Sequence, residues 1–157
     1  MKREQLLNWI EVNRQALVNN VQRFKAHIGA GVRLAAVVKA NAYGHGLLET
    51  ARIVLEAGAD WLAVNSIEEA ARLRKAGFQS PIITLGYTPF ASLEAAVEMH
   101  VRLTVYNRET VERLARIAQQ RQTPAYVHIK VETGTNRQGV RLENLVEFAQ
   151  LIGQFPW

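Results

Sequence analysis

The sequence predicts an α/β protein built on a parallel sheet, and three observations carry that reading. Short apolar runs alternate with amphipathic stretches along the chain. The run Leu34-Ala-Ala-Val-Val38 is apolar throughout instead of alternating, as a strand covered on both faces is. The joins between runs are polar or contain glycine. Such βαβ units, with right-handed crossovers, build either a doubly wound open sheet or a (β/α)8 barrel.

The elements follow in order. Trp9–Val12 reads as a short leading strand, and Leu17, Val21, Phe24 and Ile28 stripe the helix after it. Leu34–Val38 is the next strand, followed by a helix marked by Leu48, Ala51 and Leu55. Trp61–Val64 is a strand, and Ser66 with Glu69 reads as a capping box that opens the next helix. After the strand Ile82–Leu85, Thr88-Pro89 places a cap and a proline at a helix start. Leu103–Val105 precedes a helix striped by Val111, Leu114, Ala115 and Ala118. The last strand is Tyr126–Val131, and the last stripe is Leu142, Leu145, Val146, Ala149 and Ile152.

Composition narrows the functional classes. A chain of 157 residues with 48% apolar residues can bury one substantial core. No apolar run approaches the roughly 20 residues that cross a bilayer. The opening Met-Lys-Arg-Glu-Gln lacks the apolar core of a signal peptide, so a cytoplasmic protein is expected. The absence of cysteine removes disulfides, thiolate catalysis and cysteine metal sites, and no metal site is expected. The net charge of +5 comes from dispersed arginines, among them Arg14, Arg23, Arg52, Arg72, Arg102 and Arg113. Most fall at polar positions of helical patterns, often near glutamates such as Glu69 and Glu112. That pattern reads as solvated helix faces, with no nucleic-acid partner.

Two places carry candidate chemistry. Lys39 follows directly on the apolar run, and parallel α/β proteins place their sites at the carboxyl ends of strands. An amine there can condense with an aldehyde to a Schiff base. The next residues, Asn41, Tyr43, Gly44, His45 and Gly46, supply polar donors on a flexible backbone suited to an anionic group. Position alone also allows a lysine that extends its head into solvent.

In the second place, His128-Ile-Lys-Val-Glu-Thr-Gly-Thr-Asn-Arg-Gln-Gly139, the strand puts Val127, Ile129 and Val131 on one face. Tyr126, His128 and Lys130 share the other face, where polar groups need partners and a site interior is favoured. Gly134 and Gly139 bracket Arg137, whose guanidinium can grip a carboxylate through two parallel hydrogen bonds. A solvated arginine on a surface loop is the other reading.

The stretch Ala36-Val-Val-Lys-Ala-Asn-Ala-Tyr-Gly-His-Gly46 resembles the pyridoxal-phosphate attachment motif of the alanine racemases. The segment around Lys130 and Arg137 is similar to that family's second signature, and the resemblance covers nearly the whole chain. It implies the pyridoxal 5'-phosphate aldimine on Lys39 and a phosphate contact from Tyr43. It further implies a substrate-carboxylate contact from Arg137, oriented by Lys130, which is often carbamylated in the family. The implied fold is an N-terminal (β/α)8 barrel followed by a β-rich domain. Residues 14–157 would form about its first five β/α units, and residues 1–13 a leading strand that joins the later domain.

The implied activity interconverts L- and D-alanine through a Cα carbanion, in a homodimer with no membrane, supplying D-alanine for peptidoglycan. Lys39 would serve one face of the substrate; in the family a tyrosine from the partner subunit serves the other, and no residue of this chain aligns with it. The 157 residues alone are therefore expected to be inactive and, with open sheet edges, poorly self-sufficient. Glu132 stands where the family has aspartate, Thr135-Asn136 where it has Met-Gly, and Gln138 where it has leucine. These departures leave open a racemase of different substrate, alongside a non-racemising pyridoxal-phosphate barrel or a purely structural module.

Overall fold

Residues 7–155 are described in the computed structural model. Helix α1 (Arg14–Ile28) opens on Asn13, whose side-chain oxygen accepts from the Ala16 amide at 3.0 Å. Strand β1 (Ala35–Val37), a single turn α2 (Lys39–Tyr43) and helix α3 (Leu47–Glu56) come next. They are followed by β2 (Trp61–Val64), α4 (Ile67–Lys75), β3 (Ile82–Thr84) and α5 (Leu93–Glu98). The chain continues through β4 (Val101–Val105), α6 (Arg108–Arg121), β5 (Val127–Ile129) and α7 (Leu145–Gly153).

All five strands are parallel, in the order β1-β2-β3-β4-β5. A doubly wound sheet reverses its order at a switch point; here each strand lies beside the next in sequence, as in a barrel wall. One face of the sheet builds the core. Leu62, Val64, Ile82, Leu103 and Val105 from the strands are buried with Leu73, Leu93, Val111 and Leu114 from the helices. Ala51, Ala70 and Ala96, each 0% exposed, are small enough to let their helices sit close to the sheet.

Asp60 sets the start of the wall. Its carboxylate accepts from Lys25 Nζ at 2.8 Å and from the Leu34 amide at 2.6 Å, tying α1 and β1 to the approach of β2. Those two bonds, Lys25 first, hold its pKa below the ordinary 3.8.

Several sequence expectations need correction. β1 is not buried on both faces: Val37 is 42% exposed, because β1 is an edge strand whose inner face has no opposing wall among the described residues. Trp9–Val12 pair with no strand of this sheet, and Trp9 and Ile10 are exposed; the expected pairing is with a later domain. In α1 only Val21 of the expected stripe is buried, and Phe24 is exposed. The core face of α3 centres on Leu47, Ala51 and Val54, part of a turn from the Leu48–Leu55 line. In α7 the buried residues are Phe148 and Leu151, while Leu142 and Val146 are exposed. Thr88 makes no side-chain cap; a short 3-10 turn, Phe90–Ser92, intervenes before α5.

The inner face is more polar. Arg102 is not on a solvated helix face but inside β4, its guanidinium carbon 4.5 Å from the ring centroids of both Trp61 and Tyr126. Cation–π attraction to the two rings holds it there. The Trp61 ring meets His128 edge-on, with centroids 5.7 Å apart and planes at 84°. Burial first, and the Arg102 charge second, hold the imidazole below its ordinary pKa of 6.5.

Two outcomes are expected. Leu103, 1% exposed, faces the helices, so Leu103→Ala should cost about 2–5 kcal/mol in denaturant unfolding. The second concerns pH. Unfolded His128 takes up a proton near 6.5 and the folded form only at lower pH, so stability falls as pH drops below about 6.5. Between pH 7.5 and 5, the unfolding midpoint of the wild type should fall further than that of His128→Phe; equal slopes would show that His128 is not held neutral.

Candidate functional site at the carboxyl ends of the strands

The β1 ladder ends with the Val38 amide donating to the Ala63 carbonyl at 2.8 Å. Directly after Lys39 the backbone changes hand. Ala40, Asn41, Ala42 and Tyr43 have φ of 51°, 55°, 52° and 54°, a left-handed helical turn closed by Ala42 N–H to Val38 O at 2.9 Å. Each non-glycine residue in that conformation costs roughly 1–2 kcal/mol, so the turn persists only where its surroundings fix it.

The fixing groups are local. The Asn41 side-chain oxygen accepts from the Leu47 amide at 3.0 Å, and its carbonyl from Gly46 at 3.0 Å. His45 Nδ1 lies 2.9 Å from the Ala42 carbonyl, and the buried Ala42 methyl joins the core. Gly44, at φ 94°, ends the turn. The expected flexible loop is thus a hydrogen-bonded turn of defined shape. Lys39 is half-buried at its start, and Tyr43, 62% exposed, stands at its end.

At the opposite edge of the sheet the Lys130 amide extends the β5 ladder by donating to Val105 O at 2.9 Å. The chain then loops out and returns, with Val140 donating to Lys130 O at 2.7 Å and Glu132 to Val140 O at 2.9 Å. Gly139 makes that return possible: its φ is 145°, and a Cβ there would stand 2.6 Å from the Glu132 nitrogen. The Glu132 carboxylate accepts from the Gly134 amide at 2.6 Å. Backbone amides, that of Asn136 foremost and then Gly134, hold its pKa below the ordinary value. Gln138 donates from Nε2 to the Leu85 carbonyl at 3.3 Å, so the loop that carries Arg137 crosses β4 to reach the end of β3.

Lys39 and Tyr43 therefore share one turn, and Lys130 and Arg137 one loop, all at the same end of the sheet. Among the described residues no hydrogen bond or ion pair joins these two pairs or links Lys130 to Arg137, which is exposed. Among them, too, no group of three or more histidine or carboxylate side chains could hold a metal.

One residue of the site was not singled out from sequence. Glu69 accepts from the Ala40 amide at 2.6 Å and from the Asn65 amide at 2.8 Å. Ser66 caps α4 as expected, accepting from the Glu69 amide at 3.5 Å, but the Glu69 carboxylate reaches past the cap. The available signal was its position: a third helical residue points back toward the end of the preceding strand.

Comparison with known proteins accords with this arrangement. The family described as alanine racemase, N-terminal domain, matches residues 12–156. Alanine racemase 2 of Oceanobacillus iheyensis is 43% identical over 145 residues, which cover 92% of this chain and 37% of that protein. The crystal structure of alanine racemase from Bacillus anthracis with bound L-Ala-P is 38% identical and superposes with a TM-score of 0.83, over 92% of this chain and 38% of that one. Histidine racemase from Leuconostoc mesenteroides is 31% identical, with a TM-score of 0.82 over 90% of this chain and 38% of that one. The chain thus spans less than half the length of these relatives. It belongs to the alanine racemase family and matches the N-terminal barrel domain of that family.

Proposed function

We propose that the protein carrying this chain is a pyridoxal-phosphate-dependent alanine racemase, and that this chain supplies the cofactor-bearing side of its active site. The observation that carries the reading is the fixed left-handed turn, which presents an amine, Lys39, and a phenol, Tyr43, together at the carboxyl end of β1. This donor set fits an aldehyde that bears a phosphate. Lys39 would hold the carbonyl carbon and Tyr43 Oη the phosphate, with basic Lys130 and Arg137 at the same rim.

When bound, pyridoxal phosphate delocalises the electron pair left at Cα after a proton departs. The Lys39 amine would hold the cofactor aldehyde and would take up or return that proton on one face. Arg137 grips the substrate carboxylate through two parallel charge-assisted hydrogen bonds. Glu132 fixes the loop on which Arg137 stands, and carbamylation of Lys130 would give Arg137 an anionic neighbour. The opposite face is served by a residue of a partner subunit, in a cytoplasmic homodimer that makes D-alanine for the cell wall. No helix among the described residues is long and apolar enough to cross a membrane.

A second reading, a racemase for another amino acid, is favoured by Thr135-Asn136 beside Arg137 and by the likeness to a histidine racemase. Asn136 has φ 52°, so the pair shapes the loop backbone as well as its surface. A panel of L-amino acids assayed for loss of optical activity separates the two readings.

Borohydride reduction of the protein with pyridoxal phosphate, followed by peptide mapping, should label Lys39, and Lys39→Ala should abolish the label. Label on another lysine would sink the assignment. Arg137→Ala should lower kcat/KM by about a hundredfold while leaving cofactor absorbance intact, the size expected for a lost charge-assisted contact. Unchanged kcat/KM would refute the carboxylate contact.

A further inference from the structure

We propose that Glu69 is the positioning residue of this site: its carboxylate holds the left-handed turn, and with it Lys39 and Tyr43, against the end of β2. A helical turn of either hand leaves the N–H groups at its start without partners four residues back. In this turn the Ala40 amide is such a group, and it donates to Glu69 Oε1 at 2.6 Å. The second oxygen of the same carboxylate accepts from Asn65, the residue after β2, at 2.8 Å. One carboxylate thus joins the ends of two neighbouring strands, through bonds stronger than those of a neutral acceptor.

The division of labour within the turn sharpens the assignment. Asn41, Gly46 and His45 secure its far end. At its start, the amide next to Lys39 is bonded to Glu69. Lys39 therefore lies between two fixed points, the Val38 amide in the β1 ladder and the Ala40 amide on Glu69. Without the carboxylate, the four left-handed residues lose a tether against relaxation to right-handed or extended backbone. The effect on the cofactor rests on the Lys39 assignment above; the effect on the turn does not.

The test uses Glu69→Gln, which keeps the shape of the side chain but puts an NH2 group where one acceptor stood. In the cofactor-free protein, amide hydrogen exchange at Ala40 or Asn65 should quicken by about tenfold to a hundredfold, as for loss of a hydrogen bond to a charged acceptor. Amides of β3 and β4 should keep their rates, which shows that the fold is intact. The rate of borohydride-trapped attachment of pyridoxal phosphate at Lys39 should fall about tenfold with the loss of that tether.

Glu68→Gln, at the adjacent exposed position, where the carboxylate meets Ser66 and neither amide, should change both quantities far less. Ala40→Gly relieves strain at φ 51°, so in that background Glu69→Gln should lose at least half of its effect. The proposal is overturned if exchange at both amides is unchanged, if Glu68→Gln acts equally, or if Ala40→Gly leaves the effect whole. Should the wild type trap no cofactor at Lys39, the functional reading fails, and the exchange rates alone decide the role of Glu69.

Discussion

Four successive residues without a single glycine, Ala40 to Tyr43, hold a backbone hand that L-amino acids avoid, and the arrangement at the sheet's carboxyl rim is built around them. A strand that ran on past Val38 would send Lys39 and Tyr43 to unrelated places. The reversal keeps both within one turn, next to the end of β2. The cost of several kcal/mol expected for four such residues is met by hydrogen bonds from α4, from the start of α3 and from within the turn itself. A backbone held in such a turn has little further freedom to lose on binding a ligand.

The rim and the floor of this wall are held by different chemistry. At the rim the ties run from strand end to strand end: Ala40 and Asn65 share Glu69, Gly86 packs so close to the Asn65 carbonyl that a Cβ would stand 2.5 Å from it, and Gln138 reaches Leu85. Nearer the floor, guanidinium groups dominate. Arg74 donates to the carbonyls of Phe78, Ser80 and Met99, at 2.7, 2.9 and 3.1 Å, and Arg102 lies over two aromatic rings. At the rim, backbone groups meet carboxylate and amide side chains, and near the floor long cationic side chains bridge loops and rings.

Much of this was legible in the sequence, and what was missed has physical causes. β2 falls where its apolar run lies, and all five strands were located, because a strand that faces helices must be apolar at alternate positions at least. The rim lysine, tyrosine and arginine could be found because motifs fix them to strand ends. The hand of the turn could not be read, since Ala-Asn-Ala-Tyr carries no local preference for positive φ beyond that of Asn41. Glu69 was hidden because a capping-box glutamate and one that reaches back to the end of β1 look alike in sequence. Arg102 resembled a solvated arginine; only the register that sets it beside Ile83, on the face shared with Trp61 and Tyr126, shows otherwise.

The unreversed strand order also bears on how the chain is made. Among the described strands, each from β2 onward pairs with the one synthesised just before it. Loop-closure entropy stays small at every step, and a nascent chain can add one β/α unit at a time from its N-terminus. At each stage the newest strand is the growing edge, exposed until its successor emerges from the ribosome. The Asp60 tie to Leu34 closes early in that order, whereas the Gln138 tie to Leu85 closes only after β5. Vectorial synthesis would therefore complete the turn that bears Lys39, with its Glu69 tether, before the loop of Arg137 is made.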